Sequence, residues 1–360
     1  MVSPTSLPQV RALRRGPAGG VPTQRIGFEI ELLAPPGLSR ADLAAEIARR
    51  CGGDVHRFLH TDSEPSLVPG MDFFLHLTPG FAVVGPEGDL LCRLVDDITI
   101  REDLDPDAPP VPGWYRIISD EPRLMRLVHR HADPGAPLST VLDPLAEVFG
   151  VETVTTEGVV KVDDADGATI AMAAPLPGER ERPCEIITPP IREGHEARLE
   201  QLLGPARDLG FTVPAEAAVH LHVDAAPLRQ VMTFANLVRL FSAWREHVRD
   251  ALATNPRCLR LAPLPQAAVG LAGGHLPGTW DDLCRAASAT GLTKYADINL
   301  TALVDPRPEQ DTVEIRCLPG SIDAAAVVRQ AVLVERLLDR CREPRPLPLP
   351  GPGARLAGLL

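Results

Sequence analysis

The clearest alternation of apolar and polar positions is RIGFEIELL, residues 25–33, which predicts a β-strand. Side chains alternate across a strand, so Ile26, Phe28 and Ile30 share one face while Gly27, Glu29 and Glu31 share the other. A helix is expected next: Ser39 can cap it, Leu43 and Ile47 are spaced by four, and Gly52 can end it. Residues 72–101 read as a meander in which FFLHL, FAVVG and LLCRLVDDITI are set apart by Pro and Gly turns, and 103–112 reads as an acidic, proline-rich loop. Helical patterning returns at 139–150 and 195–209, with strands near 152–162, 184–188 and 218–224. Helices are expected at 226–253 and 279–289, strands at 296–303 and 312–318, and a last amphipathic helix at 322–342. Short strands that do not alternate strictly with helices predict an α+β fold, an antiparallel sheet with helices over one face.

Four of these strands carry an unusual second face. Opposite Val219, Leu221 and Val223 lie His220, His222 and Asp224, and opposite Val313, Ile315 and Cys317 lie Glu314 and Arg316. Opposite Ile298 and Leu300 lie Asp297, Asn299 and Thr301. A solvated sheet face explains any one strand, since antiparallel sheets often have one wet side. Glu-x-Glu, His-x-His, Asn and Glu-x-Arg together are not the Lys, Thr and Glu mixture of such a face. Carboxylates suit hard divalent cations such as Mg²⁺, histidine can complete the shell, and arginine offers a planar fork for phosphate or carboxylate. A fifth piece, CEIITPPI at 184–191, places Glu185 at the start of a short apolar run.

Composition narrows the classes. Hydrophobic content of 44% and charged content of 23% predict a folded globular chain. A formal net charge of −12 argues against nucleic acid as a partner, because phosphate backbones are held by excess Lys and Arg. No apolar run is long enough to span a bilayer, and the arginine-bearing start lacks the apolar core of a secretory signal, so no membrane association is expected. Seven scattered cysteines, an odd number without a CxxC pair, fit reduced thiols in a cytoplasmic protein better than disulfides or a zinc site. Residues 1–23 read as a flexible tail and 344–360 as a Pro-rich tail.

In order, GFEIE, EIITPP, HLHVD, INL and VEIR resemble the motifs of the amidoligase family, of the glutamine synthetase and glutamate–cysteine ligase superfamily of carboxylate–amine ligases; they span about 27–320. The resemblance implies a glutamine synthetase-like catalytic fold over 24–343: a curved, mostly antiparallel sheet whose concave face holds Mg²⁺ or Mn²⁺ and the triphosphate of ATP, with helices on the convex face. Carried over by position, Glu29, Glu31, Glu185, His220 and Glu314 would be metal ligands, with Glu185 joining Glu31, and His220 and Glu314 joining Glu29. Arg316 would contact the transferred phosphate or the acceptor carboxylate, and His222 and Asn299 would touch phosphate or substrate. The segment 54–152 does not follow the family pattern and is expected to be an insertion or subdomain shaping the substrate pocket.

The implied activity is an ATP- and Mg²⁺-dependent ligation of a carboxylate to an amine through an acyl phosphate, on small-molecule or peptide substrates. A carboxylate oxygen is a poor leaving group until phosphorylated, and charge neutralisation with an arginine clamp suits that transfer. Glu185 and Asp224 are candidates for the base. The same fold leaves open a guanidino-kinase-like phosphotransferase and a metal-dependent hydrolase, and a homo-oligomer is left open. Neither a GxxxxGK[ST] loop nor a GxSxG elbow is present, which disfavours P-loop and α/β-hydrolase chemistry.

Overall fold

The computed structural model describes residues 20–65, 73–119, 121–306 and 311–360. The chain begins with β1 (Ile26–Leu33), α1 (Arg40–Cys51), β2 (Asp54–Pro65), β3 (Phe73–Val84), β4 (Leu90–Val95), β5 (Tyr115–Ser119), α2 (Pro122–His131) and α3 (Asp143–Phe149). It continues with β6 (Thr153–Thr156), β7 (Val159–Asp163), β8 (Thr169–Pro175), β9 (Pro183–Ile187), α4 (His195–Asp208) and β10 (Ala218–Asp224). Then come α5 (Val231–Ser242), α6 (Arg245–Leu252), α7 (Gln266–Gly273), α8 (Trp280–Ser288), β11 (Ile298–Asn299), α9 (Thr301–Val304), β12 (Thr312–Pro319) and α10 (Ala324–Arg342). The expected boundaries of α1 hold for the expected reasons: the Ser39 backbone N–H donates to Asp42 Oδ2 at 2.8 Å, and Gly52 ends the helix at φ 69°.

All twelve strands join one open antiparallel sheet in the order β11-β12-β10-β1-β9-β4-β3-β5-β8-β7-β6, with β2 paired to β3 off that path. β1 lies between β9 and β10, and its apolar face (Ile26, Phe28, Ile30, Leu32) enters a core shared with α1, α4, α5 and α10. The helices thereby cover one face of this half of the sheet and leave the Glu29–Glu31 face for other uses. A second hydrophobic cluster joins Leu59 and Leu77 of the β2–β3 pair to Tyr115, Ile117, Met125, Val128, Leu145, Val160 and Ala173. The segment the family motifs leave aside therefore has a core of its own, extending through β8.

The structure departs from the sequence reading where local signals compete with pairing. FFLHL and FAVVG are not two strands but one, β3, running through Pro79 and Gly80. β2 pairs along the whole of one edge of β3. On the other edge β5 takes Leu75–Leu77 and β4 takes Phe81–Val84, so Pro79 falls in the gap, where its missing N–H forfeits no ladder bond and its carbonyl accepts from Arg40 Nε at 3.2 Å. Gly80 leaves room there for the Phe58 ring, which would have to shift if a Cβ stood 2.7 Å from it. The strand expected at 152–162 is the hairpin β6–β7, turned at Glu157 and Gly158 with φ 51° and 80°, the two positive values of a type I′ turn. The helix expected at 226–253 breaks into a 3₁₀ turn at Ala226–Leu228, α5 and α6. The strand expected at 296–303 stops at Asn299, because its Oδ1 accepts from Thr301 N at 3.0 Å and starts α9 instead. β2, β5, α2, β8 and α7 have no counterpart among the elements expected from the sequence.

Of the expected N-terminal tail, residues 1–19 lie outside the described residues. The proline-rich segment 344–360 packs on the body: Leu347, Leu356 and Leu359 are buried in the main core. Asn236, fully buried, anchors it, donating to the carbonyls of Cys341, Glu343 and Arg345 and accepting from Leu347 N at 2.8 Å. Removing one side chain here orphans several buried backbone groups, so Asn236→Ala should cost about 2–3 kcal/mol in urea denaturation and expose the segment to limited proteolysis. A loss below about 0.5 kcal/mol would mean that apolar packing alone holds the segment.

Candidate active site

The polar faces of five strands, β1, β9, β10, β11 and β12, meet in a cavity of about 470 Å³. Strand register decides which side chains become neighbours, because directly opposed residues share a face. Glu29 of β1 faces His220 of β10, and Glu31 faces Glu185 of β9. His222 faces Glu314 of β12, and Asn299 of β11 faces the same Glu314. A bulge completes the set: Val219 pairs with Leu318 but Leu221 with Ile315, so β12 carries one extra residue opposite His220. Cys317 and Leu318 are consequently both buried, while Glu314 and Arg316 remain in the cavity wall.

His220 occupies the centre. Its Nδ1 lies 3.0 Å from Glu29 Oε2 and 3.6 Å from Glu314 Oε1, and its Nε2 lies 3.4 Å from Glu31 Oε1. The Nε2 of His222 lies 2.9 Å from Glu29 Oε1, and its Nδ1 lies 3.1 Å from Thr312 Oγ1. Glu31 also accepts from Ala218 N at 2.7 Å. Asn299 spends both ends of its amide inside the protein, donating to Glu314 Oε2 at 2.9 Å and accepting from Thr301, so here it orients Glu314. Arg316 pairs with the same carboxylate through Nη1, and its Nε has no partner among the described residues.

Every candidate site residue of the sequence is thus in one place, except Asp224; Asp297, expected on the face of Asn299, lies outside the cavity lining and pairs with Arg245 and Arg249. Asp224 is exposed at the end of β10, where it caps Ala226 N at 2.9 Å, outside the cavity lining. The grouping differs from the expected pairs of shells. Glu29, Glu185 and His220 can bring one ligand atom each within 4.8 Å of one another, and so can Glu29, His222 and Glu314. Glu29 is the shared member, and Glu31 belongs to neither group.

Electrostatics separates the carboxylates. Burial pushes Glu31 and Glu185 well above the usual range, and neighbouring negative groups, Asp97 for the first and Glu29 for the second, push further. Burial acts on Glu29 the same way, but the charge of His222 and hydrogen bonds from both histidines outweigh it and hold Glu29 well below the usual range. Burial lowers His222, and the Glu29 charge overcomes it, raising the imidazole to about 8. Carboxylates crowded in this way lack positive charge. Their oxygens and the two imidazoles are donors that suit a hard divalent cation.

A family model described as "Putative amidoligase enzyme" matches residues 22–338. The chain belongs to the amidoligase family. No curated protein and no solved structure matches it. Membership places the chain among ligase enzymes, and small-molecule substrates follow from that. Among the described residues of this amidoligase, no helix is long and apolar enough to cross a membrane, and all seven cysteines are free.

Sequence reasoning missed the other wall of the amidoligase cavity: His60, Asp62, Asp96, Asp97, Arg260 and Lys294. One signal was available. β4 ends at Val95 opposite Glu185, so the adjacent acids in RLVDDITI, set inside an apolar run, arrive beside the glutamates. Both are buried, and Arg180 pairs with Asp96.

The raised Glu185 carboxyl carries a stability cost with a defined sign. Its usual value is 4.5, so well below that pH it is protonated in both states and costs nothing; as pH rises through it, the unfolded state ionises while the folded state resists, and stability falls. Glu185→Gln should therefore raise the melting temperature of chelator-treated protein by about 2 °C or more near pH 8, and by clearly less near pH 5. An equal gain at both pH values would mean that packing rather than charge is responsible.

Proposed function

We propose that this amidoligase joins a carboxylate to an amine in an ATP- and Mg²⁺-dependent reaction through an acyl phosphate, on a glutamine synthetase-like fold. The observation that carries the reading is the pair of three-residue donor groups sharing Glu29 on one buried sheet face, with Arg316 beside them. Glu29, Glu185 and His220 would hold one Mg²⁺ or Mn²⁺, and Glu29, His222 and Glu314 a second. Glu31, 3.4 Å from His220, supports the imidazole from behind. When bound, such cations neutralise both the carboxylates and the triphosphate.

The chain's own residues supply orientation. Thr312 steers the His222 ring, and Asn299 and Arg316 fix Glu314 from two sides. With Nη1 committed to Glu314, Arg316 keeps its remaining N–H donors for the phosphoryl group in transit, where a planar fork matches two oxygens. Burial of these groups keeps water from competing for the activated acyl group.

The reading makes a product-level test. With an acid and amine pair found by screening for ADP release, a substrate labelled with ¹⁸O in its carboxylate should yield labelled inorganic phosphate together with ADP. A guanidino-type phosphotransferase would leave phosphate on its product, and a hydrolase would consume no ATP. AMP with pyrophosphate would overturn the acyl-phosphate route.

Arg316→Lys keeps the charge but loses the fork, so kcat should fall by about 10²-fold, as for other lost transition-state donors. Activity within about twofold of wild type would reduce Arg316 to a structural partner of Glu314. Nucleotide with Mg²⁺ should raise the melting temperature, and nucleotide with chelator should not, because ligands of the native state stabilise it by mass action. Equal shifts would place the nucleotide away from the acidic face.

A further inference from the structure

The cavity continues past the Glu29 cluster to a second wall that the proposed phosphoryl transfer does not use. Two alternate rungs of the β2–β3 ladder, either side of the Thr61–Leu77 pair, join His60 to Thr78 and Asp62 to His76, so four polar residues share one patch of sheet face. His76 is 2% exposed and Thr78 is 1% exposed, yet His76 Nδ1 and Thr78 Oγ1 have no hydrogen-bond partner among the described residues. Buried polar atoms are nearly always satisfied, and leaving one unmade is costly. His60 and Asp62, the partners on the same face, line the cavity itself.

Charge on this wall is divided. Asp96 is matched by Arg180 and approached by Arg40 at 3.9 Å, whereas Asp62 and Asp97 form no ion pair among the described residues. Cations stand elsewhere on the same cavity, where Arg260 and Lys294 lie over the Tyr295 ring at 5.3 and 5.4 Å from its centre. Their loops are tied together by Ala262 N donating to Tyr295 O at 2.9 Å. Arg260 is held at φ 59°, a left-handed conformation that a non-glycine residue adopts at a cost and that is concentrated at functional sites.

Ammonia would need only the acidic part of this wall, and a polyphosphate only the basic part. A molecule carrying both an ammonium and a carboxylate uses both. We propose, resting on the ligase reading above, that this wall is the subsite for the amine co-substrate and that this co-substrate is a free amino acid. Asp62 and Asp97 take its ammonium and Arg260 and Lys294 its carboxylate, with His76 and Thr78 buried beside Asp62 and His60 on the same sheet face.

The test is a titration of the full chain, with Mg²⁺ and a non-hydrolysable ATP analogue and again without nucleotide. The probes are the proteinogenic L-amino acids, β-alanine and 4-aminobutyrate, each compared with its carboxamide and its decarboxylated amine, and ammonium chloride. At least one free amino acid should bind in calorimetry and raise the melting temperature, with its carboxamide and decarboxylated amine weaker by about tenfold or more, since each forfeits a charged contact. Asp62→Asn and Arg260→Met should each weaken that amino acid by about tenfold while the melting shift given by Mg²⁺ and nucleotide is retained. Both positions are only partly buried, so the variants are expected to fold. The proposal is overturned if no amino acid binds in either condition, if carboxamides bind as well as acids, or if both variants bind like wild type. Failure of the nucleotide to bind wild-type protein, with amino-acid binding intact, overturns the ligase reading and leaves the amino-acid subsite standing.

Discussion

The register of β1 against β9 and β10 is the constraint on which the site depends. Because side chains alternate along a strand, aligning Phe28 and Ile30 with the helices puts Glu29 and Glu31 on the far face. The same register then brings Glu185 and His220 directly beside them. A slip of one residue would bury the glutamates in the apolar core, so packing energy on one face of the sheet positions the chemistry on the other. The main core thus orders the donors without touching them.

Like charges held this close are unfavourable in the protein alone. Burial raises Glu31 and Glu185, and Glu29 stays ionised only because two histidines and their hydrogen bonds attend it. A site assembled from apolar residues would be more stable and chemically inert. The strain is tolerated because it is confined to one cavity backed by a well-packed core, a pattern common to functional sites. Asn299 and Arg316 illustrate how orientation is achieved, each bonding to Glu314 from a different strand position.

The second wall comes from elements remote in sequence. β3 is long enough to accept β2 along one edge and both β4 and β5 along the other, and this branching joins the main half of the sheet to the half with its own core. The cavity lies where residues from β2, the end of β4 and the loops before α7 and β11 converge on the β1 face. In this chain the segment outside the family motifs supplies much of the cavity's second wall.

By itself, the sequence determined the strands that carry chemistry and the face each residue occupies, because a period of two is a local property that GFEIE, HLHVD and VEIR display without ambiguity. It also determined the α+β character, the cap of α1 and the set Glu29, Glu31, Glu185, His220, His222, Asn299, Glu314 and Arg316 as a candidate constellation. Only the tertiary structure decided how those residues group, with Glu29 shared between two donor sets and Glu31 in neither, since grouping depends on cross-strand register and on a bulge in β12 that no local pattern encodes. It alone decided that β3 runs through Pro79, because the tolerance of a proline depends on which neighbouring strand is missing. It alone brought Asp62, Asp97, Arg260 and Lys294 to the same cavity, for residues drawn from separate loops and strands become neighbours only when the long-range pairing of the sheet has closed.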